Sequence, residues 1–203
     1  FGNLPLINNY KTKKNLIKYP VVICQCENCL LIQLKYSVSD KFLFPNNYSY
    51  LSGNSKEKIN NFESLVSKIK KLSKKNNPQI LDIGSNDGSF LELAKKKHSK
   101  VLGVEPTNTA KISINRGINT IKKPLNFKLA KKIVSKYSKF DFVVANNFFA
   151  QTNNLIDLTF QIANNNKVNG VDGVNGVITI DTYYGIQLNE NDVSNKLGNI
   201  ILF

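Results

Sequence analysis

The chain has 203 residues, 41% of them hydrophobic, enough for one domain of ordinary size with a core and a small appendage. No apolar run approaches the roughly 18–20 residues of a membrane span, and no N-terminal stretch has the charged, apolar and small order of a secretory signal, so a cytoplasmic protein with no membrane partner is expected. The net charge of +14 is almost all Lys, placed in helical patterns (Lys68–Lys71, Lys95–Lys97, Lys131–Lys132) without the interleaved Arg and aromatic residues of a base-stacking surface. Solvated helix faces account for it, and a nucleic-acid partner is not expected. The chain starts at Phe1 and contains no Met, which suggests an internal fragment or a processed product.

In chain order, residues 1–50 are irregular or short-stranded and contain all three Cys. Val21–Ile23 and Leu30–Leu34 flank the cysteines as two strands of a hairpin. From Lys56 to Lys75, apolar residues at Ile59, Phe62, Leu65, Val66, Ile69 and Leu72 recur at spacings of three and four, which gives one helical face. Asn76-Asn77-Pro78 ends that helix. An alternation follows: strand Gln79–Ile83, helix Ser89–Lys97, strand Val101–Val104, helix Thr107–Arg116 capped by Gly117, strand Asn119–Ile121, helix Asn126–Tyr137, strand Phe140–Ala145, helix Leu155–Asn164 and strand Gly176–Asp181. Units of this size imply an α/β domain with a doubly wound, mostly parallel sheet. Asn164–Gly176 is Asn- and Gly-rich and reads as a surface turn. The tail has no clear period until Ile200–Phe203, which can supply one short strand.

The first strand runs into Asp82-Ile83-Gly84-Ser85-Asn86-Asp87-Gly88. Ligands of doubly wound sheets bind beyond the strands' carboxyl ends, where such turns lie. Gly84 permits a tight turn against a ligand, Gly88 opens the next helix, and that helix N-terminus offers N–H groups to an anion. The second strand ends Val104-Glu105-Pro106, where an acid can accept both hydroxyls of a ribose. A dinucleotide site wants Gly-x-Gly-x-x-Gly. This chain has Asp-x-Gly-x-Asn-x-Gly, and a carboxylate before the first Gly suits the ammonium of S-adenosylmethionine (SAM) better than a pyrophosphate. At the fourth strand's end, Asn146 and Asn147 could hold the methionine portion or a substrate, or could simply cap the next helix. Cys26 and Cys29 are spaced to reach one tetrahedral zinc, though two thiols are half of the four ligands that a structural site needs; reduced thiols are the other reading. Cys24 reads as a small core residue.

With these residues in view, the chain resembles the C-methyltransferases of nucleotide-linked deoxysugars over roughly residues 1–181. Gly2–Asn8 looks like the family's segment between two cysteine pairs, and Cys26–Leu34 like its second pair. Leu43–Tyr50 and Ser52 look like its linker, and Asp82–Gly88, Gly103–Pro106 and Ala145–Asn147 like its SAM motifs. The resemblance implies a partial zinc region over 1–50 with Cys26 and Cys29 as ligands, a helical linker over 51–78, a class I SAM-methyltransferase domain of Rossmann-like fold over 79–182 and a divergent tail over 183–203. It implies SAM contacts from Asp82, Gly84, Ser85, Asn86, Asp87, Gly88, Glu105, Pro106, Asn146 and Asn147, and a nucleotide-sugar substrate methylated next to a keto group. Tyr48 and Tyr50 would close over the cofactor in the catalytic role or pack between domains. The chain departs from the family in lacking the first cysteine pair, the C-terminal domain and the Tyr-His-Glu-His stretch after the fifth strand. Its sole His, His98, is placed on the helix after the cofactor turn, and the carboxylates Glu190 and Asp192 sit in a polar stretch. RNA or protein methylation and a non-catalytic SAM-binding remnant are the competing readings.

Overall fold

The computed structural model describes residues 1–6, 16–28, 30, 32–137, 140–146, 148, 177–181 and 200–202. Contacts divide the chain into two units, Phe1–Ser49 and Tyr50–Phe203.

In the first unit, β1 (Asn3–Pro5) pairs antiparallel with β2 (Lys18–Pro20), and β3 (Ile23–Gln25) pairs antiparallel with β4 (Ile32–Leu34). The hairpin expected around the cysteines is therefore present, with strands displaced from Val21–Ile23 and Leu30–Leu34. Val21 is drawn to the other ladder, its N–H donating to Gly2 O at 2.8 Å. Leu30 belongs to the turn: its N–H donates to Cys26 O at 2.9 Å, and its φ is +61°. A single helical turn, α1 (Asp40–Leu43), follows. None of the described residues of this unit is buried, and Ile32 and Leu34 are 67% and 59% exposed.

The second unit opens with a 3-10 turn, Ser52–Asn54, and α2 (Lys56–Leu72). Ser55 caps α2 by accepting the Lys58 N–H, and Phe62, Leu65, Val66 and Ile69 form its buried stripe. The helix stops at Ser73, short of Lys75, where the backbone turns extended. Next come β5 (Gln79–Ile83), α3 (Ser89–Lys96), β6 (Lys100–Val104), α4 (Thr109–Asn115), β7 (Thr120–Ile121), α5 (Phe127–Tyr137), β8 (Phe142–Asn146), β9 (Val177–Asp181) and β10 (Ile200–Leu202). The strands lie in the order β10-β9-β8-β5-β6-β7, and every pairing is parallel. This is the doubly wound order with its switch point between β5 and β8, where ligand crevices form.

Strand alternation sorts the core. Leu81, Ile83, Leu102, Val104, Val143 and Ala145 meet Ile133 of α5 on one face. Ile80, Phe142 and Val144 meet Phe62, Val66 and Ile69 of α2 and Phe90, Leu91 and Ala94 of α3 on the other. Helix α4 begins later than Thr107 because Thr107 donates its N–H to Glu105 Oε1 and accepts the Thr109 N–H on its hydroxyl, a turn that precedes the helix. At its other end Gly117 (φ +75°) donates to Ile114 O at 2.8 Å and Ile118 donates to Ser113 O at 3.1 Å, a Schellman cap. The expected helix Leu155–Asn164, the turn Asn164–Gly176 and most of the tail lie outside the described residues.

Candidate functional site

The candidate cofactor contacts among the described residues, Asp82 to Gly88, Glu105, Pro106 and Asn146, lie at or just beyond the carboxyl ends of β5, β6 and β8. Asp82 shares a strand face with Ile80, and Asn146 shares one with Phe142 and Val144, so both lie on the α2–α3 side of the sheet at the switch point. Ser85 lies over Gly103 on that side: a Cβ at Gly103 would stand 2.5 Å from Ser85 Oγ. Asp82 Oδ1, Ser85 Oγ and both side-chain polar atoms of Asn146 are buried without a hydrogen-bond partner among the described residues. Buried polar groups are rarely left so, and here they cluster where a Rossmann-like sheet binds its ligand. Burial, and next the charge of Glu105, raises the Asp82 carboxyl well above the ordinary 3.8, an environment that a cationic group would relieve.

The turn after β5 is held from within. Gly84 (φ +73°) and Gly88 (φ +79°) adopt the left-handed region that favours glycine. A Cβ on Gly84 would stand 2.6 Å from the Phe148 ring, and one on Gly88 would stand 2.9 Å from Ser113 Cβ. Asn86 and Asp87 turn their side chains toward the segment Tyr50–Gly53. Asn86 Oδ1 accepts the Ser52 N–H at 2.9 Å, and its Nδ2 donates to Tyr50 O at 3.0 Å. Asp87 Oδ2 accepts the Gly53 N–H at 3.1 Å, while its Oδ1 accepts the N–H and hydroxyl of Ser89. The first N–H of α3 is thus satisfied by Asp87 rather than left for an anion. The partners in Tyr50–Gly53 lie 34 to 36 residues upstream of the turn and have no local signature in the sequence.

Glu105 is buried, with Oε2 accepting the Asn86 N–H at 3.0 Å and Oε1 the Thr107 N–H at 2.8 Å. Each oxygen keeps a second lone pair, so the carboxylate can still accept ribose hydroxyls while it ties the ends of β5 and β6 together. Pro106 beside it is half-buried. Asn147 lies outside the described residues.

Tyr50 is 42% exposed, with Lys58 Nζ 5.7 Å from its ring centre. Burial, then the charge of Asp87, raises its hydroxyl above 10.0, so it stays protonated at neutral pH and is a donor rather than a base. Tyr48 belongs to the first unit, where it packs edge-on against Phe44 at 5.6 Å. Cys24 is half-buried on β3, its thiol facing Gln33 O at 3.6 Å. Among the described residues no group of three or more His, Cys, Asp or Glu is arranged to hold a metal. Cys29 lies outside them, so the residues present do not complete a zinc site around Cys26, and no chemistry is derived through zinc. His98 (φ +63°) sits in the turn beyond α3, not on it. It precedes the first residue of β6, roughly 13 Å of strand away from the carboxyl end where Glu105 lies.

The doubly wound parallel sheet, the glycine turn after its first strand and the acid after its second define a Rossmann-like fold of the class I SAM-methyltransferase kind. No family model matches the chain. Over 95% of its length the chain is 22% identical to the C-methyltransferase NovU of Streptomyces niveus, and it spans 46% of that protein. Among solved structures it is similar to the plantazolicin methyltransferase BpumL in complex with SAH (24% identity, 50% of this chain and 39% of that one, TM-score 0.41). Two others are a SAM-dependent methyltransferase from Archaeoglobus fulgidus (21%, 51% and 46%, TM-score 0.41) and the sugar N-methyltransferase KedS8 from Streptoalloteichus sp ATCC 53650 (14%, 62% and 48%, TM-score 0.43).

Proposed function

We propose that the chain is the cofactor-binding part of a SAM-dependent methyltransferase acting on a carbon next to the keto group of a nucleotide-linked sugar. The observation that carries the cofactor is the set of buried polar atoms on Asp82, Ser85 and Asn146, without partners among the described residues, at the switch point beside Glu105. In this reading Asp82 faces the ammonium, Ser85 and Asn146 hydrogen-bond the methionine portion, Glu105 and Pro106 hold the ribose, and Gly84 and Gly88 let the backbone approach. Asn86 and Asp87 act through the turn they shape. SAM supplies an electrophilic methyl group, so the protein's own part is to orient it and to remove a proton from the sugar carbon. Methylation at carbon rests on the likeness to the C-methyltransferase NovU; the keto-sugar substrate, a zinc-binding first unit and a cytoplasmic location rest on the sequence resemblance alone.

Among the described residues the same geometry supports SAM binding without placing a ready base for the proton transfer. His98 stands at the amino edge of β6, Tyr50 is held protonated, and Glu105 is committed to backbone N–H groups. A base that removes a carbon-bound proton contributes about 10²–10⁴-fold. Methyl-transfer assays with a 4-keto nucleotide sugar and with bulk RNA test the substrate class. Efficient methylation of the sugar by the 203-residue chain would place the base within it, and methylation of RNA would replace the sugar reading.

A further inference from the structure

We propose that Arg116 is a positioning residue for the cofactor turn, acting through buried Asp87 to hold the strap Tyr50–Gly53 against it. The inference rests on the SAM-site reading above. Arg116 is the sole arginine among the 28 basic residues of the chain. Lysine serves elsewhere as a solvated charge, whereas a planar guanidinium can address several oxygens from a fixed position.

Arg116 caps α4, and the Schellman turn through Gly117 sets where its side chain leaves the helix. Its Nη1 donates to Asp87 O at 3.2 Å and to Ser89 Oγ at 2.9 Å. It also lies 3.5 Å from Asp87 Oδ2 and 3.9 Å from Glu92 Oε2. Asp87 is fully buried, and the oxygen that faces Arg116 also accepts the Gly53 N–H. Gly53 has no room to spare: a Cβ there would stand 2.5 Å from Ser89 Oγ and 2.9 Å from Asp87 Oδ2. Asn86 clasps the strap at Tyr50 and Ser52, and its own N–H is bound by Glu105. Arginine, acid, strap and cofactor turn therefore form one connected network. Removing the cation leaves the buried Asp87 carboxylate with neutral donors only, which a protein resists, and the strap, exposed at Tyr50 and half-buried over Leu51–Gly53, is less deeply held than the turn it meets.

The test pairs amide hydrogen exchange, without ligand, with calorimetric titration of S-adenosylhomocysteine (SAH). Arg116→Met should speed exchange at Ser52 and Gly53 at least about tenfold while Leu81 and Val143 keep theirs, and should weaken SAH binding about five- to tenfold. Arg116→Lys should recover part of both. Gly53→Ala displaces the strap without removing a charge, through the crowding of its Cβ against Ser89 and Asp87, and should give the same pattern if Arg116→Met does not fold. Exchange that rises equally in strap and sheet, or SAH affinity that stays unchanged, overturns the proposal. A wild-type chain that does not bind SAH fails the functional reading and this inference with it. Wild-type binding with unaltered variants fails the inference alone.

Discussion

Glu105 Oε2 accepts the backbone N–H of Asn86 at 3.0 Å, so the acid after β6 is hydrogen-bonded to the turn after β5. The two candidate cofactor contacts are one structural unit. Glu105→Ala should weaken SAH binding by about 1–3 kcal/mol, and it should also lower the melting temperature because the Asn86 and Thr107 N–H groups lose their acceptor. Glu105→Gln keeps one acceptor oxygen and should fall between the two in both calorimetric titration and thermal melts. Unchanged affinity in the Ala variant would move the ribose elsewhere.

The Asp82 carboxyl binds its proton more tightly folded than unfolded, because burial and then the Glu105 charge disfavour its ionised form. Stability therefore falls as pH rises from the ordinary 3.8 toward the raised folded value, and levels off above it. Asp82→Asn should remove that slope and be more stable than wild type at neutral pH in chemical denaturation, while binding SAH more weakly. In the wild type, SAH affinity should rise with pH through the same window, with proton release detectable by titration in two buffers of different ionisation enthalpy. Proton uptake on binding would contradict an ammonium at Asp82.

Gly88 and Gly117 share a left-handed backbone but not their surroundings. Gly88 packs against Ser113, whereas the nearest atom to a Cβ on Gly117 is Lys95 Nζ at 3.9 Å. Gly117→Ala should cost about 1–2 kcal/mol for the conformation alone. Gly88→Ala should cost about 1–3 kcal/mol more for overpacking. Equal values in urea denaturation would show that α3 and α4 are not in close contact there.

The two units differ in burial, and their exchange should differ too. The first unit has no buried residue among those described, whereas Ile80, Leu102 and Val144 of the sheet are within 1% of full burial. Amides of β3 and β4 should exchange much faster than those of β5 and β8. Comparable protection in both would mean that the first unit is stabilised by something other than its own core.

Several of these features were legible in the sequence because they are local. The run Gln79–Gly88 carries a buried parallel strand, two turn glycines and a helix start within ten residues, and β6, ending at Val104 just before Glu105, is a second apolar strand that runs into a turn. The helical stripe of α2 was visible through its spacing, and the tail strand Ile200–Leu202 through its apolar run. What local pattern does not carry is partner choice at long range. Nothing in Ser85-Asn86-Asp87 shows that two of its side chains bind backbone 34 residues earlier, and nothing near Arg116 announces Asp87. Leu30 looked like a strand residue by composition, but the turn at Cys26 claims its N–H. His98 looked helical until the left-handed turn after α3 put it outside.

The central claim is that the crevice at Asp82, Ser85, Glu105 and Asn146 binds SAM, and calorimetric titration of SAM into the 203-residue chain tests it most directly. Saturable binding of one SAM per chain, weakened by Asp82→Asn and by Glu105→Ala in folded variants, is the predicted result. No binding by the folded wild-type chain, or binding indifferent to both substitutions, would contradict it.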